Sequence, residues 1–166
     1  MDADALKAIQ APFKERYRES PEAAVITLKA EGEVGDGVTC SVQTGKALIE
    51  AGLHPATGGT GLDACSGDML LEALVACAGV TLNAVATALS LDIGKAKVKA
   101  EGDLDFRGTL GVAKDAPVGF RAIRLTFDIG GALTPEQRDT LLKLTERYCV
   151  VYQTIRNGPP IDVAMS

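Results

Sequence analysis

The sequence predicts an α+β fold in which antiparallel strands surround a long apolar helix. Residues 66–92 are apolar on every side of a helix, and Glu72 is the only charge between Met69 and Leu91. A helix of this kind is normally enclosed by protein or lies in a membrane. Residues 95–107 and 118–129 alternate between apolar and polar side chains. Strands with that alternation have one buried and one solvated face, as in antiparallel sheets.

Length and composition predict a single domain. The chain has 166 residues, of which 46% are hydrophobic and 23% charged; we assign 1–20 to an N-terminal helical extension and 22–166 to the core. A net charge of −5 provides no basic excess for nucleic acid. A single histidine and cysteines without a Cys-x-x-Cys spacing favour neither a metal nor a bound cofactor. The N-terminus lacks a signal pattern, so we expect a cytoplasmic location.

The elements before the apolar helix begin with an amphipathic helix over residues 3–18, which Pro12 is expected to bend or divide. Strands are predicted over 23–30 and 38–44, with a glycine-containing turn at 35–37 between them. Cys40 lies on the apolar face of the second strand, so we interpret it as a core residue.

A glycine-rich loop over residues 52–65 leads into the apolar helix, and His54 in it is interpreted as a turn residue. Ser66 is the expected N-cap of the helix, Asp68 lies in its first turn, and Gly94 can close its other end. Thr81 and other polar residues in the run, together with the absence of basic residues beside its N-terminal end, argue against a membrane span. Its many small residues allow close approach of a second helix, which favours a homodimer.

The second half of the chain alternates strands with a helix. In 95–107 the lysines and acids share the exposed face, opposite Leu104 and Phe106. A capping box from Thr134 to Gln137 opens a helix that continues to Gly158, and residues 161–164 are predicted to add a short edge strand.

Two cysteines lie on these helices. Cys77 is near the middle of the apolar helix, and Cys149 falls late in the C-terminal helical stretch. Periodicity leaves each open as a packing residue or a nucleophile, and only tertiary folding could bring both within disulfide range. Burial in apolar surroundings makes a thiol inert, so Cys77 would need a cation from elsewhere to react as a thiolate.

Two segments around these cysteines resemble the OsmC/Ohr family of osmotically inducible and organic hydroperoxide resistance proteins. Residues 66–81, SGDMLLEALVACAGVT, are similar to the family's central helix with its first cysteine. Residues 146–151, ERYCVV, are similar to the region of its second cysteine. The order of strands and helices agrees with the family from about residue 22 onward.

The resemblance implies an OsmC-like fold, an intertwined homodimer whose antiparallel sheets are wrapped around long central helices. It also implies a thiol peroxidase. Cys77 would attack a small organic hydroperoxide as a thiolate and become a sulfenic acid, and Cys149 would resolve this as a disulfide. An external dithiol, such as a lipoyl-type compound, would reduce the disulfide, and no bound cofactor is implied.

The chain departs from the family at the activating ion pair. Family peroxidases pair a glutamate with an N-terminal arginine, but the glutamate's position here is Gly67, and no arginine occurs between Arg18 and Arg107. Candidate auxiliary residues are Asp68, Arg16, Arg18, Tyr148 and Cys65. The alternative function is a non-enzymatic OsmC-like dimer that binds a small apolar or thiol ligand.

Overall fold

A computed structural model describes residues 3–34, 40–42, 52–62 and 64–165 of the protein. Its helices and strands, in chain order, are α1 (Ala3–Glu19), β1 (Val25–Val34), β2 (Cys40–Val42), α2 (Ser66–Ala88), β3 (Ala96–Asp105), α3 (Phe106–Thr109), β4 (Ala122–Ile129), α4 (Pro135–Tyr148) and α5 (Val150–Asn157). Short 3₁₀ turns cover Pro21–Ala24 and Pro55–Thr57. The predicted turn at 35–37 lies outside the described residues.

The strands form one sheet in the order β2-β1-β3-β4. β1 and β2 are antiparallel. β3 and β4 also run in opposite directions, because the Arg121 amide donates to the Asp103 carbonyl at one end and the Gly130 amide to the Lys95 carbonyl at the other. The predicted α+β class with antiparallel strands is therefore confirmed.

The alternation predicted for the two long strands is confirmed along most of their length. β4 alternates between exposed and half-buried residues throughout, and β3 does so until Leu104. The prediction is wrong at Asp105, which was expected on the wet face but is only 1% exposed. The strand ends there, and the Asp105 carboxylate turns inward because it accepts hydrogen bonds from the Arg107 amide at 3.1 Å and guanidinium at 2.6 Å.

The chain divides into two compact units. The first comprises Met1–Glu31, Gln43–Glu72 and Lys99–Thr126. The predicted N-terminal helix is confirmed as α1, which continues through Pro12 as one helix, so the expected division there is wrong. Tyr17 of α1 is fully buried against Phe106, and its hydroxyl donates to the Ala56 carbonyl at 2.5 Å. This bond ties α1 to the 3₁₀ turn that precedes α2.

The second unit comprises Gly32–Val42, Ala73–Val98 and Phe127–Ser166. Its core is a cluster of buried side chains from α2, the segment after it, β3 and α4: Leu82, Val85, Ala86, Ile93, Ala96 and Leu141. Leu141 is the residue of α4 in this cluster, and it is 0% exposed. The side of α4 that carries Leu141 therefore packs against the C-terminal half of α2.

The ends of α2 differ from the prediction by one turn or less. The helix begins at Ser66, and the Cys65 carbonyl accepts the first helical hydrogen bond from the Met69 amide. Cys65 thus holds the cap position expected for Ser66. The helix ends at Ala88 instead of residue 92, because Ser90 takes a left-handed conformation with φ of 53°. An α-helix cannot continue through a residue in that conformation.

The predicted edge strand at 161–164 is wrong: residues 158–165 have no regular secondary structure. Ile161 and Val163 are 82% and 91% exposed. A strand forms only when a neighbouring backbone supplies hydrogen bonds, and no described strand pairs with this segment.

α2 is long and apolar enough to cross a membrane by length and composition, with a mean hydropathy of 1.8. Within the protein, 44% of its most apolar stretch is buried. The core helix of a globular domain meets the same criteria. The side chains left less buried from Ala73 onward include Ala73, Cys77, Val80 and Ala84, which recur at intervals of three and four and so share one side of the helix.

Candidate functional site

Cys149 lies at a break between two helices that the sequence predicted as one. Its backbone takes an extended conformation, with φ of −73° and ψ of 107°. The Cys149 amide still donates to the Thr145 carbonyl at 2.9 Å, which closes α4. Its sulfur accepts a hydrogen bond from the Tyr152 amide at 3.4 Å, which caps α5. One residue therefore ends one helix and begins the next, and its thiol is held at a helix N-terminus.

A side-chain hydrogen bond across the junction of α4 and α5 stabilises it. The Gln153 side-chain amide donates to the Glu146 carbonyl at 2.7 Å, so it connects the first turn of α5 to the last turn of α4. Asn157 in turn donates to the Gln153 side-chain oxygen at 2.8 Å. The bend around Cys149 is thus held by side chains of α5 that reach a carbonyl of α4, and not by backbone conformation alone.

The structure brings Cys149 and Cys77 together. Their side chains are close enough for the Cys77 thiol to raise the pKa of the Cys149 thiol, although the two residues are far apart in the sequence and Cys77 lies on α2. Both are free thiols; Cys149 is 1% exposed, whereas Cys77 is half-buried. Two free thiols this close to each other are suited to form a disulfide when one of them is oxidised.

Burial raises the pKa of the Cys149 thiol to about 11, and the amide of Tyr152 and the Cys77 thiol act on it with opposite signs. The backbone amide lowers this pKa because it stabilises the thiolate, whereas the neighbouring Cys77 raises it. In the described part of the chain, no lysine or arginine lowers it. Cys149 is therefore a protonated thiol at neutral pH.

Two arginine–tyrosine pairs lie on the surface next to this junction. The Arg147 guanidinium is 5.4 Å from the centre of the Tyr148 ring. Arg156 donates to the Tyr152 hydroxyl at 2.8 Å. Tyr148 is 56% exposed. A surface cavity of about 460 Å³ is lined by residues on both sides of Cys149: Arg147, Tyr148, Val150, Gln153, Thr154, Asn157 and Pro159.

Asp68, the acidic auxiliary candidate, belongs to the first unit and lies in the first turn of α2. It is half-buried, and burial raises its pKa while the nearby His54 lowers it. No arginine in the described ranges contributes to that pKa. The structure therefore gives Asp68 a histidine neighbour instead of the arginine that the family pairs with its glutamate.

The N-terminal arginines have partners of their own in the first unit. Arg16 lies over the rings of Phe13 and Tyr17, at 5.6 and 4.9 Å, and donates to the Tyr17 hydroxyl at 3.2 Å. Arg18 makes an exposed ion pair with Glu15 at 2.7 Å. Both arginines therefore interact with other side chains of α1 itself.

The remaining residues singled out from the sequence are Cys65, His54 and Cys40. Cys65 is a half-buried free thiol at the start of α2. His54 accepts a hydrogen bond from the Ala56 amide at 3.0 Å and stacks on Phe106, so its interpretation as a turn residue is confirmed. The side chain of Cys40 lies outside the described residues. Among those described, no group of three or more metal-ligating side chains is arranged to hold an ion.

Sequence reasoning missed Gln153 and Thr145. Gln153 carried no signal, since a glutamine in an amphipathic helix is ordinarily a surface residue. Thr145 did carry a signal in the sequence. It precedes Cys149 by four residues and follows Leu141 by four, and hence shares their buried face.

Comparisons with known proteins place these features in a family. The model of the family described as OsmC-like protein matches residues 59–164. The fold is similar to that of an OsmC-like hydroperoxide resistance protein from Jannaschia sp., with a TM-score of 0.59 and 17% identity over 83% of this chain and 91% of that one. It is also similar to an OsmC-like protein from Mycoplasma pneumoniae, with a TM-score of 0.56 and 16% identity over 81% and 86% of the two chains. No curated protein sequence matches the chain.

Proposed function

The chain belongs to the OsmC-like protein family, and we propose that it is a thiol-dependent peroxidase that reduces organic hydroperoxides with Cys77 and Cys149. The observation that carries the proposal is the proximity of these two free thiols, close enough for Cys77 to raise the pKa of Cys149. The family includes hydroperoxide resistance proteins, as the Jannaschia structure illustrates. The half-buried thiol of Cys77 is the more accessible of the two, which favours it as the residue that meets the peroxide.

In the proposed reaction, the Cys77 thiolate attacks the distal oxygen of the hydroperoxide. The O–O bond breaks, the sulfur keeps a hydroxyl as sulfenic acid, and the alkoxide takes up a proton and leaves as an alcohol. The apolar neighbours of Cys77 on α2, such as Leu74 and Val80, favour organic hydroperoxides over hydrogen peroxide because they exclude water from the substrate's alkyl group.

Cys149 then attacks the Cys77 sulfur. The S–O bond breaks, the S–S bond forms, and the Cys149 proton leaves with the hydroxyl as water. The raised pKa of Cys149 suits this role, because a protonated thiol does not compete with Cys77 for peroxide but can supply that proton. An external dithiol of the lipoyl type supplies two electrons and two protons and restores both thiols.

We also propose that the protein acts as a homodimer. The side of α2 that carries Ala73, Val80 and Ala84 is apolar and incompletely buried in one chain. An apolar helix face of this kind is stable in water when a second copy covers it. Its small side chains let two such helices approach closely. A second chain would then enclose the side of α2 that carries Cys77.

Consumption of cumene hydroperoxide in the presence of dihydrolipoamide tests the peroxidase proposal. Wild type is expected to turn over, Cys77→Ser to lose all activity, and Cys149→Ser to stop after about one equivalent with a dimedone-reactive sulfenic acid on Cys77. Cys65→Ser is the matched control, since Cys65 is a half-buried thiol outside the pair, and it should keep wild-type activity.

Two outcomes would contradict the proposal. Peroxide consumption that survives in Cys77→Ser would show that another group reacts. A fully reduced wild type that consumes no peroxide would instead favour the non-enzymatic dimer that binds a small apolar or thiol ligand. Separation of the disulfide-linked form by mass after oxidation distinguishes a Cys77–Cys149 bond from one that involves Cys65.

A further inference from the structure

Thr145 carries a buried hydroxyl without a partner. Its Oγ1 makes no hydrogen bond, and the residue is 1% exposed. It is the one such side-chain atom in the part of the chain that the structure describes. A threonine within a helix can point to solvent or bond the carbonyl four residues earlier, and the buried Thr145 hydroxyl does neither. Burial of an unpaired hydroxyl costs free energy, and a group retained at that cost is a candidate for function.

The packing of α2 against α4 places this hydroxyl beside the two thiols. Leu141 packs in the cluster that contains Leu82, Val85 and Ala86, while Cys149, about two turns further on at the C-cap of α4, lies close enough to Cys77 for the two thiols to interact. These two contact points mean that α4 and α2 run in opposite directions along their seam. Thr145 lies midway between Leu141 and Cys149, so it faces the turn of α2 that follows Cys77.

While both thiols are reduced, the Thr145 hydroxyl has no hydrogen-bond partner. Oxidation of Cys77 can supply one. Conversion of Cys77 to a sulfenic acid adds one oxygen to a sulfur that is already in contact with Cys149. That oxygen is a strong hydrogen-bond acceptor, and the described core cluster along this seam, which includes Leu141 and Leu82, is apolar. The Thr145 hydroxyl is an unpaired hydrogen-bond donor one helical turn from Cys149, so it is suited to donate to that oxygen.

We propose that the Thr145 hydroxyl donates a hydrogen bond to the oxygen that oxidation places on Cys77, and that it thereby assists disulfide formation with Cys149. This inference rests on the proposed peroxidase function. As Cys149 attacks the Cys77 sulfur, the S–O bond breaks and negative charge develops on the departing oxygen. The Thr145 donor stabilises that charge, the Cys149 proton completes the water, and Thr145 ends the step with its own proton.

Thr145→Val tests the proposal, because valine keeps the shape and removes the donor. Reduced protein is mixed with one equivalent of cumene hydroperoxide, and the sulfenic acid and the disulfide are followed by rapid quench and mass analysis. Disulfide formation in Thr145→Val is expected to slow about tenfold or more, as for loss of a hydrogen bond to a charged group. Thr145→Ser, which keeps the hydroxyl, should react close to the wild-type rate. Thr140→Val is the control, since Thr140 is exposed on the same helix.

The melting temperature separates this role from a structural one. Removal of an unpaired buried hydroxyl should leave the Tm of Thr145→Val unchanged or raise it. Wild-type disulfide kinetics in Thr145→Val, a Tm that falls together with the rate, or a Thr145→Ser variant as slow as Thr145→Val would each overturn the inference. Absence of both sulfenic acid and disulfide in wild type after peroxide addition would instead refute the peroxidase function itself, so the two failures are distinguishable.

Discussion

The Gln153 side chain donates a hydrogen bond to the Glu146 carbonyl at 2.7 Å and so joins α5 to α4 across the break at Cys149. This bond holds the bend that turns the Cys149 sulfur onto the first turn of α5. The position of the buried thiol therefore depends on the side chain of a half-buried polar residue whose backbone amide also donates to the Cys149 carbonyl at 2.9 Å.

Gln153→Met keeps the length of this side chain and removes the donor. The net worth of one hydrogen bond is about 1 kcal/mol, so we expect the Tm to fall by roughly 2–4 °C. Diamide should also form the Cys77–Cys149 disulfide more slowly, because Cys149 is less well fixed. Thr154→Val, at an exposed position on the same helix, is the control. Unchanged Tm and disulfide kinetics in Gln153→Met would show that the bond does not position Cys149.

Alkylation by iodoacetamide should report the raised pKa of Cys149. With a pKa of about 11, only about one molecule in a thousand carries the thiolate at pH 8. Peptide mass analysis should find Cys149 unmodified in the folded protein at pH 7–9, and its labelling rate should rise about tenfold per pH unit up to pH 11. Cys65 serves as the internal reference. Labelling of Cys149 as fast as Cys65 at pH 8 would contradict the assignment.

Ala73→Glu tests the proposed homodimer. Ala73 is exposed on the apolar side of α2, so a carboxylate there would be desolvated in an interface between two copies. Sedimentation velocity at micromolar concentration should show a wild-type dimer and a monomeric or strongly dissociating variant. Thr140→Glu places the same charge on an exposed position of α4 and should remain dimeric. A monomeric wild type would refute the proposal.

Asp105→Asn should destabilise the first unit. The carboxylate is buried and accepts three hydrogen bonds from the Arg107 guanidinium, which lower its pKa. Loss of its charge leaves Arg107 without a full counter-charge, and we expect the Tm at pH 7 to fall by about 5 °C or more. Asp103→Asn is the matched control, because the Asp103–Arg124 pair is exposed, and its effect should be much smaller.

The same pair sets a pH dependence with a defined sign. A carboxyl whose folded pKa is lowered contributes stability above its unfolded pKa, near 3.8, and loses it as pH falls through the folded value. The Tm difference between wild type and Asp105→Asn should therefore be constant from pH 7 to about 5 and shrink below about pH 4. A difference that does not change down to pH 2 would contradict this assignment.

Much of the fold was predictable because it is encoded in local periodicity. The alternation in β3 and β4, the apolar run of α2 and the capping box at Thr134 each depend on neighbours within a few residues. The wrong predictions concern positions whose structure depends on a hydrogen-bonding partner and not on the local pattern of apolar residues. Asp105 is buried because it forms an ion pair with Arg107. Residues 161–164 form no strand because no described backbone pairs with them.

The candidate site divides in the same way. The sequence by itself determined the α+β class, the central helix with Cys77 and, through its resemblance, the OsmC-like family. Only the tertiary structure decided that α4 and α5 separate at Cys149, that this thiol contacts Cys77, and that the Thr145 hydroxyl is left unpaired in the seam between α2 and α4. Periodicity records which side of a helix is buried, but a contact between two helices depends on how they pack, and that is set by the whole core.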